Sequence, residues 1–307
     1  MKSITQYGAT PPQGSSSLFA EGRYVPALDS LRVELNRCRA ESSPAEWRAF
    51  CAETFSAESV HRYPLLRLIK EGPLGSGSGL IHNPLILDVI YDLNGVPGLL
   101  TPPANALRSW ELHLDFCASL RARHFLFARE LADLAKTVKA PRVLALGCGH
   151  LREGAIALTS DSMRASEIVA FDRDRACIDL IEREYDHPGL VTVSGSLRDF
   201  LNDSNKGKFD FIYVPTLLDK LEDSKAAVLL NALLGSLQPG GRLLAANFAP
   251  DLKDAAYLEA CLDWWPFYRT EEELAALLET KSTQNLRGQA IFRDDSEGSV
   301  FLDLQSV

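Results

Sequence analysis

The chain has no pair of cysteines spaced C-x-x-C; its six cysteines, Cys38, Cys51, Cys117, Cys148, Cys177 and Cys261, are scattered. Such scatter excludes the usual zinc and disulfide frameworks and reads as reduced, mostly buried thiols. The six histidines lack metal-ligand spacing as well, so no metal is expected. No apolar run approaches the ~20 residues that a membrane-crossing helix needs. The opening "MKSITQYGATPPQGSSS" lacks the apolar core of a signal peptide, and a cytoplasmic location is the expectation. Basic blocks are missing too. With a net charge of −9 and a pI of about 5.3, neither nucleic acid nor an anionic membrane is the expected partner. A small-molecule substrate remains, with a homodimer left open. No internal repeat is present.

What is there falls into three stretches. Residues 1–20 are polar and rich in Gly, Pro and Ser, and are expected to form a flexible N-terminus. Residues 21–120 read as a helical cap or lid region. Leu28, Leu31, Val33, Leu35 and Cys38 fit a helix face, and "SSPAEW" predicts a second helix start with Ser43 as cap, Pro44 first and Glu46 third. "EGPLGSGSGLIHNP", Glu71 to Pro84, has four glycines in eight residues. It is either a surface linker or a lid over a ligand. On the lid reading, His82, Asn83 and Tyr91 are the residues placed to touch substrate.

Residues 121–307 alternate. Strand-like runs at Val143–Leu146, Ile168–Phe171, Val191–Val193, Phe209–Val214 and Arg242–Ala246 are separated by helical stretches. That order predicts an α/β fold with a parallel sheet covered by helices on both faces. "GQAIFRDD" and "SVFLDLQSV", joined by "SEG", read as a terminal antiparallel hairpin, which makes seven strands.

The chemistry concentrates in "RVLALGCGHLREGAIAL", Arg142 to Leu158. Gly147 and Gly149 let the chain turn sharply beside a ligand, and the helix expected to follow would present free N–H groups. The next strand ends at Asp172, 23 residues after Gly149. A carboxylate at that offset suits the two ribose hydroxyls of a bound nucleotide. Leu151 replaces the third glycine of the dinucleotide pattern at a nearby offset, so close passage of a pyrophosphate is not provided for. The terminal hairpin also points away from a dehydrogenase.

The pattern resembles the class I S-adenosylmethionine-dependent methyltransferases over about Arg121 to Val307. The carrying stretches are "ALGCGHLREG", "AFDRD", "GSLRDF", "FDFIYVPTLLDKL" and "LQPGGRLLAANF". The resemblance implies a Rossmann-like catalytic domain and S-adenosylmethionine as cofactor. It implies that Gly147 and Gly149 face the methionine part, that Asp172 holds the ribose, that Ser196, Leu197 and Arg198 flank the adenine, and that Cys148 and Arg173 are cofactor-binding as well. Ala145 departs from it, standing where many members carry an acid. More narrowly, "GCGHLREG", "SLRARHFLFARELADL", "LDVIYD" and "DWWPFYRTEEELAAL" resemble bacterial enzymes of extracellular-factor 3-hydroxypalmitate methyl ester biosynthesis, to which azetidine-2-carboxylate synthases are related. The glycine-rich 72–84 stretch departs from that group. Two reactions of small-molecule secondary metabolism follow: methyl transfer to a small carboxylate, hydroxyl or amine, or cyclisation of S-adenosylmethionine to azetidine-2-carboxylate with release of methylthioadenosine.

Individual roles stay open. Arg152 either binds the methionine carboxylate or pairs with neighbours, as Glu153 does. His150 is a base or packs behind the site. Tyr213 either offers its ring to the sulfonium or sits in the core. Tyr91, Asn83 and Thr216 are placed to take or orient an amine proton. Asp219 faces site or solvent. The aromatic crowd Trp264, Trp265, Phe267 and Tyr268 reads as packing before a helix capped by Thr270 and Glu273.

Overall fold

The computed structural model describes residues 17–18, 20–54, 84–91, 108–159, 163–164, 166–203, 207–279 and 283–307. The chain divides into two compact units, residues 1–118 with 251–265, and residues 119–250 with 266–307. The expectation of contiguous domains, 21–120 and 121–307, needs correction at 251–265, which returns to the first unit. The expected N-terminal tail to residue 16 and the 72–83 stretch, with His82 and Asn83, lie outside the described residues.

Among its described residues the first unit is helical, with α1 (Tyr24–Glu41), α2 (Pro44–Thr54), α3 (Pro84–Ile90) and the start of α4 (Asp115–Thr137). α1 buries Ala27, Leu28, Leu31 and Leu35. Val33, expected on that face, is 66% exposed; two residues from Leu31 is 200° around a helix, so it points away. Ser43 and Glu46 form the expected capping box: the Ser43 N–H donates to the Glu46 carboxylate at 2.9 Å, and these bonds to Ser43 hold the carboxyl below its usual range. The returning segment Asp251–Trp265 fills this unit's core. The Arg39 guanidinium donates to buried Glu259 at 2.8 and 3.0 Å, and the Trp47 indole N–H donates to it at 2.6 Å. Trp264 meets Phe116 edge-on. Here the aromatic crowding is packing.

The second unit is a seven-stranded sheet in the order β3-β2-β1-β4-β5-β7-β6. The strands are β1 (Arg142–Leu146), β2 (Glu167–Asp172), β3 (Leu190–Ser194), β4 (Phe209–Val214), β5 (Leu237–Phe248), β6 (Leu286–Arg293) and β7 (Ser299–Ser306). β1 to β5 are parallel; β7 runs antiparallel to both β5 and β6. This is the Rossmann-like methyltransferase sheet, closed by the expected hairpin. α5 (Gly154–Leu158), α6 (Arg175–Glu184), α7 (Leu197–Asn202), α8 (Asp223–Leu234) and α10 (Glu271–Ala276) belong to this unit; α9 (Ala255–Cys261) belongs to the first. The central strands are mostly apolar because both faces are covered. Val143, Ala145, Ile168, Ala170, Phe211 and Leu244 pack with Phe127 and Leu131 of α4 and with Ile178 and Ile181 of α6. Their neighbours Leu144, Leu146, Val169, Ile212, Val214 and Leu243 pack on the other face, with Leu229, Leu230 and Leu233 of α8. The period-two alternation sends each strand's residues to opposite faces.

Candidate functional site

The site is built where β1, β2 and β4 end. β1 runs into Gly147 at φ +67° and Gly149 at φ +52°, a left-handed conformation that glycine adopts without penalty. A Cβ on Gly147 would lie 3.3 Å from the Leu217 Cβ, so the turn after β4 presses on this one. The Gly147 and Cys148 N–H groups both donate to the Phe171 carbonyl, at 2.9 and 3.2 Å. The Gly149 N–H donates to Asp172 Oδ2 at 2.9 Å. Three successive amides are therefore spent on the end of β2, and none is left to cradle a phosphate.

Leu151 explains the missing third glycine. It also has positive φ, +54°, and is fully buried among the β1 and α4 side chains. A Cβ on Gly154 would sit 2.9 Å from the Leu151 Cγ. The third small residue is thus Gly154, displaced to make room for a leucine plug. α5 starts only there and has five residues, so the free helix N–H groups expected beside Gly149 are not found; the plug pushes the helix away.

Asp172 ties the loops together. Its Oδ1 accepts the Asp174 N–H at 2.9 Å, its Oδ2 takes Gly149, and its backbone carbonyl accepts the Gly195 N–H at 3.1 Å. Beyond Gly195, Ser196 caps α7 in a capping box with Asp199, so its hydroxyl serves the helix. Leu197 packs against the core, while Arg198 and Arg173 are exposed.

Three expected contacts need correction. The Arg152 Nη1 pairs with the Glu184 carboxylate and reaches the Tyr185 hydroxyl at 3.4 Å; a partner 32 residues away engages the group expected to hold a ligand carboxylate. The Cys148 side chain is buried in the core, and burial, then the charge of Asp172, pushes its thiol well above the usual range. Only its backbone belongs to the turn. Tyr213 is 0% exposed, with its ring 5.4 Å from Phe127 and 5.8 Å from Phe211. It is one residue short of the end of β4 and points under α4, so the core reading holds. Its hydroxyl reaches no partner in hydrogen-bond geometry, and burial, with the charge of Glu153 next, raises its pKa far above normal. We expect Tyr213→Phe to leave thermal stability equal or slightly higher, since it removes a buried hydroxyl without a good bond. Cofactor affinity should not change; a tenfold loss in titration calorimetry would return Tyr213 to the site.

Thr216 is buried in the turn after β4, and His150 is buried behind the glycine turn. Tyr91 ends α3 in the first unit. Asp219 faces neither site nor solvent. It is buried against Arg123, whose Nη1 donates to its Oδ2 at 2.6 Å and to the Pro215 carbonyl at 3.1 Å. Buried Arg269 donates to the Leu218 carbonyl at 3.1 Å and to the Leu221 carbonyl at 2.5 Å. Two arginines thus clamp the 3-10 turn Leu218–Lys220. Sequence reasoning missed both, because arginine is ordinarily placed on the surface. It also passed over Lys220, although "TLLDKL" stood inside a recognised stretch.

A family model described as tellurite resistance protein TehB matches residues 124–280. No curated protein matches the chain. Among solved structures, a "possible exported protein" from Bordetella parapertussis aligns over 100% of this chain and 99% of its own, with a TM-score of 0.61 and 17% identity. That likeness shows the fold. The magnesium protoporphyrin IX methyltransferase ChlM of Synechocystis PCC 6803, with bound S-adenosylhomocysteine, aligns over 72% of this chain and 92% of its own, at TM-score 0.48 and 12% identity. The N-methyltransferase NodS of Bradyrhizobium japonicum, also with S-adenosylhomocysteine, aligns over 58% and 85%, at TM-score 0.41 and 18% identity.

Proposed function

The chain belongs to the TehB family, whose model matches half of it, and from that premise we propose that it is an S-adenosylmethionine-dependent methyltransferase acting on a small molecule. Asp172 carries the reading. Each of its oxygens accepts one backbone N–H, and a carboxylate has about four acceptor positions. The positions left over suit two vicinal hydroxyls, and the spent amides of the glycine turn suit a nucleoside that carries no phosphate. The residues present therefore fit the adenosine half of the cofactor.

When bound, the cofactor supplies a methyl carbon made electrophilic by its sulfonium. The chain's part is binding and orientation. Cys148 and Tyr213 are both held protonated by burial, so neither offers a base. We assign the work to positioning, which can lower a barrier by several kcal/mol, about 7–11 at best. The acceptor we favour is a small carboxylate, hydroxyl or amine, following the resemblance to methyl-ester-forming enzymes. Nucleic acid and membrane are set aside on the net charge of −9. A reducing, cytoplasmic setting is proposed on the scattered spacing of the six cysteines.

The test incubates the pure protein with S-adenosylmethionine alone, then with a panel of acceptors, and identifies products by mass spectrometry. S-adenosylhomocysteine formed only when an acceptor is present is the expected result. Methylthioadenosine with azetidine-2-carboxylate, formed without an acceptor, would replace methyl transfer by cyclisation: the substrate's own amine attacks its γ-carbon, and the thioether leaves. No binding of S-adenosylmethionine or S-adenosylhomocysteine would end the reading altogether.

A further inference from the structure

Lys220 has not been given a role by the site described so far. It closes the 3-10 turn Leu218–Lys220, and its N–H donates to the Leu217 carbonyl at 3.1 Å. Leu217 has helical backbone angles, φ −70° and ψ −33°. In such a turn side chains three residues apart eclipse, so Leu217 and Lys220 point the same way. Leu217 lies against Gly147. Lys220 therefore leaves the turn on the side that lies against Gly147. Asp219 between them leaves the turn on another side, where its Oδ1 accepts the Phe248 N–H at 2.7 Å and its Oδ2 meets Arg123.

The turn cannot swing to place this lysine elsewhere. Arg123 and Arg269 hold the Leu218 carbonyl within it and the flanking carbonyls of Pro215 and Leu221. A fourth, that of Asp219, accepts the Phe267 N–H at 2.9 Å. The Lys220 ammonium makes no hydrogen bond or ion pair among the described residues, and the side chain is half-buried. Its charged neighbours are Asp172, Asp219 and Arg173, with the Cys177 thiol beside them. Burial lowers its pKa, and Asp172 and Asp219 oppose that shift.

A vicinal diol both donates and accepts hydrogen bonds. A carboxylate can only accept from it, and an ammonium can only donate to it. Asp172 supplies the acceptor half of such a pair, and an uncommitted ammonium on the neighbouring turn supplies the donor half. We infer that Lys220 is a second ribose-binding residue, donating to the hydroxyl oxygens whose protons Asp172 accepts. This rests on the reading of Asp172 as the ribose acid of an S-adenosylmethionine site.

The experiment is calorimetric titration of S-adenosylhomocysteine, adenosine and 2′,3′-dideoxyadenosine into the full chain, its Lys220→Met variant and its Lys220→Arg variant. Unliganded melting curves establish that each is folded. Lys220→Met keeps the stem and removes the charge. It should weaken S-adenosylhomocysteine and adenosine by the same factor, about tenfold to a hundredfold for one bond to a charged donor. Dideoxyadenosine should bind the parent and Lys220→Met equally, because the atoms the lysine contacts are gone. Lys220→Arg should recover part of the loss. Equal affinity of the parent and Lys220→Met for S-adenosylhomocysteine would overturn the inference. So would an equal loss with dideoxyadenosine, which would move the contact off the ribose. If the parent binds none of the three, the cofactor reading itself fails, and this inference with it.

Discussion

Arg123→Ala loses about 3–5 kcal/mol of the second unit's stability, the usual penalty for leaving a buried charge without its partner. The residue is 1% exposed, and so is Asp219. Its Nη1 donates to Asp219 at 2.6 Å, its Nε to the Ser299 hydroxyl at 2.6 Å, and its guanidinium lies 4.1 Å over the Phe248 ring. Truncation leaves Asp219 with the Phe248 N–H and without its ion-pair partner. A domain's whole stability is about 5–15 kcal/mol, so the variant sits near the edge of unfolding. Urea denaturation measures the loss, and a midpoint within error of the parent's would refute it. The paired substitution separates charge from shape. Arg123→Met with Asp219→Leu replaces both partners by apolar groups of similar reach, a change that is often neutral or stabilising. That double variant should refold to near-parental stability. It should still bind cofactor less well, because the turn bearing Leu217 and Lys220 has lost one of its two clamps.

That network also marks where sequence reading stops. The sheet was legible because buried parallel strands are written as continuous apolar runs, and "VLAL", "IVAF" and "FDFIYV" announce themselves between helical stretches. The place of Asp172 at the end of β2, tied to Gly149, was legible because it depends on chain distance from the glycine turn, and chain distance is visible. Tyr213 was not. Whether the penultimate residue of a strand faces the crevice or the helix above depends on which face its alternation serves, and Ala145↔Tyr213 pairing puts it on the α4 side. Arg152 was misplaced because its partners, Glu184 and Tyr185, lie at the far end of α6. Gly154 was overlooked as the third small residue because the pattern expects it earlier, and only the buried Leu151 plug explains the shift. The return of 251–265 to the first unit was hidden for a similar reason: the burial of Glu259 against Arg39 and Trp47 joins residues more than 200 apart.

Asp172 supports the other large prediction, and here the loss is in affinity. Asp172→Ala removes the acceptor proposed for the ribose and frees the Gly149 and Asp174 N–H groups. One hydrogen bond to a charged group contributes about 1.5–3 kcal/mol, so affinity for S-adenosylhomocysteine should fall by about ten- to 150-fold. Asp172→Asn is the sharper test, because it keeps the shape. An amide has one oxygen and one NH2, while the site presents an N–H donor to each carboxylate oxygen. Whichever way the amide turns, a donor meets a donor. Asn should therefore lose nearly as much as Ala and also loosen the tie between the β1 and β2 loops, seen as a lower unliganded melting temperature. Were Asp172 only a brace for those loops, Asn would lower stability and leave affinity in the folded fraction within about threefold of the parent. Calorimetric titration of S-adenosylhomocysteine below the variant's melting transition separates the two, and retained affinity there would remove Asp172 from the cofactor site.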